Sequence, residues 1–166
     1  MDLESIRNIN SRKNRDGGFP LVRVGLNNGV EAWLLMDTGS TGGILIERVL
    51  AKRLDWLGAY PTIEETSGGV ISSGQMERFR VPSIQFGPFE IADALVSVPA
   101  SGESLKYFET RTPLGTRIAE KGDTRGILGY DILKHFVVTI DYESGAVHVY
   151  PGEEIPEDPP PQDAGE

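Results

Sequence analysis

Leu34-Leu-Met-Asp-Thr-Gly-Ser40 runs an apolar strand into a carboxylate, a hydroxyl and a glycine. The strand ends at Asp37, so the carboxylate is delivered to the rim of a core on a tight turn. Aspartate often ends a buried strand because its side chain closes turns on the backbone, and that explains Asp37 taken alone. It does not explain its neighbours. Gly39 lets backbone approach closely, Thr38 can hydrogen-bond beneath the turn, and Ser40 can orient the carboxylate. Asp37, Thr38, Gly39 and Ser40 therefore form the candidate site, with Asp37 as the reacting group.

Working outward, Leu21-Val-Arg-Val-Gly-Leu26 and Glu31-Ala-Trp-Leu-Leu-Met36 flank Asn27-Asn-Gly29, which predicts a hairpin leading into the turn. Much later come Gly126-Ile-Leu-Gly129, then Tyr130-Asp-Ile-Leu-Lys-His-Phe136, a predicted short helix, then Val137-Val-Thr-Ile-Asp-Tyr142, a predicted strand. In this order the parts resemble the retropepsin-like aspartic proteases, whose Asp-Thr/Ser-Gly-Ala/Ser motif follows an apolar strand and supplies one catalytic aspartate. The resemblance runs over most of the chain. It implies an all-β acid protease barrel with one short C-terminal helix and a second helix after the catalytic turn. It also implies Asp37 as the catalytic residue, Ile127, Leu128 and Gly129 as the closing motif, a peptide or protein substrate, and no cofactor.

The same family places a glycine-rich hairpin flap over its cleft. Here Glu65 to Gly74 occupies that position, with Gly68, Gly69, Val70, Ile71 and Gly74 as candidate flap residues. Its small and aliphatic residues are closer to the viral pattern than to the aromatic flap of pepsin-like enzymes, although an ordinary surface loop has the same composition. Residues 101–124 are an insertion relative to compact members. They could wall the cleft, shape a dimer contact or decorate the surface.

Composition sets the bounds. The 166 residues are 39% apolar and 25% charged, enough for one core. A net charge of −9 and a pI near 4.8 argue against a nucleic-acid surface, which needs clustered Lys and Arg. Without cysteine there is no disulfide, zinc-thiolate site or thiol nucleophile, and either redox compartment stays open. Met1 to Arg7 lacks an apolar signal core and no run approaches the roughly 18 apolar residues of a membrane span. The compartment is thus unknown, the expectation being a soluble cytoplasmic protein or a soluble domain of an exported or membrane-anchored parent.

Three segments are expected: a polar arm at 1–18, the protease domain at 19–150, and an acidic, proline-rich disordered tail at 151–166. One helix is expected from Glu47 to Leu57, with Val49, Leu50, Leu54 and Leu57 on one face. The other should begin at Asp131, its carboxylate capping the Leu133 or Lys134 amide.

An aspartic protease needs two carboxylates sharing a proton, yet Asp-Thr-Gly occurs here once. Asp123-Thr-Arg lacks the glycine and Asp141 falls within a predicted strand. The resemblance supplies the partner by symmetry: a homodimer in which each chain contributes Asp37 and the two Thr38 bond across the floor. His135 and His148 read as packed or surface residues, and metal-ligand spacing is absent. Two other readings compete. The phosphate loop of actin-like ATPases is similar to Asp37-Thr-Gly-Ser-Thr41 but needs two domains, more than this length holds. A catalytically silent domain that keeps the fold to bind a peptide or partner is the alternative function.

Overall fold

A computed structural model describes residues 8–13, 19–27, 29–67, 75–103, 105, 109–111, 117–119 and 124–152 of the chain. In order these form β1 (Ser11–Lys13), β2 (Pro20–Gly25), β3 (Glu31–Met36), β4 (Ile44–Ile46), α1 (Arg48–Arg53), β5 (Glu64–Ser67), β6 (Gln75–Phe86) and β7 (Phe89–Pro99). There follow β8 (Glu109–Arg111), β9 (Arg117–Ala119), β10 (Thr124–Leu128), α2 (Tyr130–Leu133), β11 (Phe136–Asp141) and β12 (Ala146–Pro151). Strands pair in the order β2-β3-β10-β4-β7-β6, and β6 returns to β2 through Val24↔Phe86 and Gly25↔Gln85. The result is a closed six-stranded barrel, with β1 added outside β2 and β5 outside β6. The expected all-β barrel with two short helices is the fold that forms.

The expected hairpin is present. β2 and β3 pair antiparallel, and Gly29 takes a φ of +73° in the turn between them, a conformation glycine adopts without steric cost. β3 is buried on both faces, which is why it reads as a continuous apolar run rather than an alternation. Leu34 and Met36 enter the main core with Val22, Val24, Ile44, Ile46, Val96 and Leu128. Leu35 packs instead with Leu21 and Ile127 in a second, smaller layer flanked by Trp33 and Leu45.

One topological feature positions the site. β10 lies between β3 and β4, parallel to β3 (Ile127↔Leu35) and antiparallel to β4 (Leu128↔Ile44). The two strands joined by the Asp37 turn are therefore held apart by a strand from the far end of the sequence.

Three sequence expectations change. The arm at 1–18 is not wholly outside the core: Ile9 is 1% exposed and β1 pairs with β2. The Asn8 side chain donates to Val149 O at 2.6 Å and accepts from Val149 N at 2.9 Å, while Ser11 Oγ accepts from Val147 N at 3.0 Å. Polar side chains here complete the edge of β12, a use that hydropathy does not reveal. α1 stops at Arg53, with Asp55 at a φ of +56°, so Leu57 lies outside the helix; the inward face is Leu50, Ala51 and Leu54, which turns Val49 to solvent at 79% exposure. α2 begins at Tyr130, and Asp131 caps neither amide. The Leu133 and Lys134 amides already donate to Gly129 O and Tyr130 O, leaving the Asp131 carboxylate to Lys134 Nζ at 3.5 Å.

Within residues 101–124 the described part includes the β8–β9 antiparallel pair and a buried Leu105. No helix among the described residues is long and apolar enough to cross a membrane.

Candidate active site

The turn starts where the β3–β10 pairing ends. The Asp37 N–H donates to Leu128 O at 3.1 Å, so the last rung of the parallel pairing fixes Asp37 against the end of β10. Ser40 N donates to Asp37 O at 3.2 Å and closes the turn. Asp37 Oδ1 accepts the Gly39 amide at 2.9 Å. A Cβ at Gly39 would stand 3.3 Å from that oxygen, a tight contact that the carboxylate would have to relax by a few tenths of an ångström to accept. Asp37 and Ser40 are half-buried, whereas Thr38 and Gly39 form an exposed lip.

α2 holds the far side of the turn. Three successive amides at its start donate to three carbonyls: Gly129 N to Gly43 O at 2.8 Å, Tyr130 N to Ser40 O at 2.8 Å, and Asp131 N to Gly42 O at 3.0 Å. The first amides of a helix lack intrahelical acceptors, and here the turn supplies them. Contact is close enough to exclude a side chain, since a Cβ on Gly129 would lie 2.5 Å from Gly42 O and 2.9 Å from Ser40 O. Ile127 and Leu128 are both fully buried. Alternation along β3 puts Trp33, Leu35 and Asp37 on one face, so the carboxylate stands at the edge of the small layer of Leu21, Leu35 and Ile127.

The structure thus brings Asp37, Gly39 and Ser40 together with Leu128 and Gly129. Among the described residues, neither the Thr38 nor the Ser40 hydroxyl bonds the Asp37 carboxylate; the Gly39 amide does so instead. Gly68, Gly69, Val70, Ile71 and Gly74 lie outside the described residues, as does Asp123. β5 and β6 pair as far as Ser67↔Gln75, bringing the ends of the candidate flap stretch side by side. Asp141 is engaged elsewhere. It accepts from Glu143 N at 2.8 Å and Ser144 Oγ at 2.6 Å, and the Ser144 hydroxyl, followed by the Glu143 amide, holds its carboxyl below the usual aspartate range. His135 is exposed after α2, and His148 is half-buried on β12 with its ring 6.1 Å from that of Tyr150.

A family model described as aspartyl protease matches residues 22–132, from β2 through the Asp37 turn to α2. The chain belongs to the aspartyl protease family. Its fold is similar to that of a retropepsin-like aspartic protease from Rickettsia conorii, with a TM-score of 0.55 and 17% identity over 84% of this chain and 88% of that one. The retroviral protease-like domain of Ddi1 from Leishmania major aligns at a TM-score of 0.46 and 16% identity, over 81% of this chain and 96% of that one. Comparison with curated proteins finds no match.

In this aspartyl protease family member, part of the support for the turn escaped the sequence reading. The carbonyls of Gly42 and Gly43 accept two of the three bonds that clamp the turn, and a Cβ at Gly43 would collide with the Leu95 carbonyl. The signal was the Gly42-Gly43 pair just after the turn, a place where paired glycines mark close backbone approach.

Proposed function

We propose that the protein is an aspartic endopeptidase that hydrolyses peptide bonds through a water activated by two Asp37 carboxylates, one from each chain of a homodimer. The supporting observation is Asp37 itself, a half-buried carboxylate on a rigidly clamped turn beside an apolar layer. Asp-Thr-Gly occurs once in the chain, so a two-carboxylate site calls for a second copy. Brought together, the two carboxyls cannot both ionise, and they share one proton. The ionised member takes a proton from water as the oxygen attacks the scissile carbonyl, while the protonated member donates to the carbonyl oxygen. Collapse of the tetrahedral diol then returns a proton to the leaving nitrogen. In such a dimer Thr38, exposed on the lip, would bond across the two-fold axis, and residues 68–74 would serve as the flap.

The test is cleavage of a mixed peptide library at about pH 4 to 7, comparing the parent with Asp37→Asn and measuring mass by light scattering. Cleavage by a dimeric parent, lost in a folded mutant, supports the shared-carboxylate enzyme. A folded dimer that cleaves nothing favours the silent peptide-binding reading, and full activity in Asp37→Asn rejects the assignment.

A further inference from the structure

The chain that carries the Asp37 turn runs on through β4 to α1, and the first residue of that helix reaches back to another part of the barrel. Arg48 Nη1 donates to Glu77 Oε1 on β6 at 2.7 Å and to Pro99 O at the end of β7 at 3.0 Å. A single terminal nitrogen thus joins α1 to two strands. The cation is not there for the sake of the helix. α1 has no acidic residue in its first turn, and a positive charge is the less favourable sign at a helix N-terminus. The Arg48 and Glu77 side chains are 28% and 26% exposed, against 55% and 33% for Arg125 and Glu47, whose 3.3 Å bridge joins the same helix start to β10. A short, charge-assisted bond with limited screening is the stronger kind, whereas an exposed pair contributes little.

The two acceptors mark the root of a hairpin. The β6–β7 ladder runs from Phe86↔Phe89 to Met76↔Pro99, and Ala100 N closes it by donating to Gln75 O at 2.9 Å. On its other side β6 pairs with β5 over the same residues, from Glu64↔Arg78 to Ser67↔Gln75. β7 ends at Pro99, so the β5–β6 hairpin is tied to the barrel here by the final rungs of one ladder and by Arg48. The strand that delivers Arg48 also pairs with β7, at Leu45↔Ser97, two residues before Pro99. Hairpin root and Asp37 turn are therefore referred to one stretch of chain, residues 37–48. We propose that Arg48 is a positioning residue: it pins the root of the β5–β6 hairpin to the stretch carrying the Asp37 turn, and so sets the affinity for peptide rather than the rate of bond cleavage. The proposal rests on the reading above, in which peptide is bound between that turn and the hairpin. Without the pin the root samples more positions and binding has to select among them, which weakens apparent affinity. The bonds that clamp the Asp37 turn do not involve Arg48, so the chemistry is left as it is.

The cysteine-free chain takes two nitroxides at exposed positions, Lys52→Cys on α1 and Gln75→Cys on β6. Dipolar electron paramagnetic resonance on this chain, diluted in unlabelled chain so that single copies are read, gives the distance between helix and hairpin root in the folded protein. Arg48→Met keeps a long stem and removes both donors. It should broaden that distance distribution and raise KM about tenfold, with kcat within about twofold of the parent. Arg48→Lys keeps the charge without the fork and should recover part of both losses. Arg125→Met breaks the neighbouring bridge and should alter neither. Should Arg48→Met not fold, Glu77→Gln removes the ion pair alone and must show the same two changes in smaller measure. An unchanged distance distribution overturns the proposal, as does a broadened one with KM unaltered or with kcat lowered in its place. A parent that cleaves no peptide fails the protease reading, and the spin-label distances then decide the pin by themselves.

Discussion

Asp37 and Asn differ at one atom, and the bond that Asp37 Oδ1 accepts from Gly39 is available to the amide oxygen of Asn as well. Asp37→Asn should therefore retain the fold, with an unfolding midpoint close to the parent, while cleavage falls by at least about 10³ in kcat/KM. Calorimetry and a single fluorogenic peptide check both halves. The parent's pH profile should be bell-shaped, its two limbs belonging to the pair rather than to either carboxylate. Asp141 behaves differently. Its carboxyl is held low by the Ser144 hydroxyl, so its stabilising effect is present above the unfolded aspartate value and is lost as pH falls through the lower folded value. Ser144→Ala should move the Asp141 titration upward in carboxyl NMR. An unchanged titration would assign the shift to the backbone amides instead.

At the scale of elements, the clamp between α2 and the turn rests on the absence of a side chain. Gly129→Ala forces a methyl group among three backbone carbonyls, and such overpacking costs about 1–3 kcal/mol. Urea unfolding should show that loss, and activity should fall further than stability because the displaced atoms carry Asp37. The β12 edge makes the complementary case. Asn8→Ala removes both bonds to Val149, a fully buried residue; unsatisfied buried polar groups cost about 1–3 kcal/mol, seen as a lower denaturation midpoint. These same elements show what the sequence disclosed. The hairpin before Asp37, the Ile127-Leu128-Gly129 strand end and α2 were legible because each couples an apolar pattern to a turn or glycine signal. β1 was not: Ser11-Arg-Lys13 pairs through backbone and polar side chains, leaving Ile9 as a lone apolar clue. The outward Val49 was not legible because Ala51, with Leu50 and Leu54, sets the inward face and an alanine gives no strong apolar signal.

For the whole molecule, an obligate two-chain site predicts that specific activity falls on dilution, along the same curve as the dimer fraction from sedimentation or light scattering. Activity proportional to chain concentration, in a range where the protein is monomeric, would place the complete site within one chain. The barrel class was legible from short glycine-punctuated strands, but its closure was not. Two residue pairs between β2 and β6 complete the cylinder, and no local pattern announces a contact so distant in sequence. Likewise Asp37 could be singled out, while its clamp depends on which carbonyls meet the start of α2 in three dimensions.

The insertion of β10 between β3 and β4 also sets an order in time. Synthesis delivers the Asp37 turn early, but the strand that spaces its two arms and the amides that hold its carbonyls are translated much later. Non-local pairing of this kind forms slowly and late. A nascent chain on the ribosome therefore carries Asp37 on an unclamped turn until residues 124–131 have been made and the amides of Gly129, Tyr130 and Asp131 can reach its carbonyls.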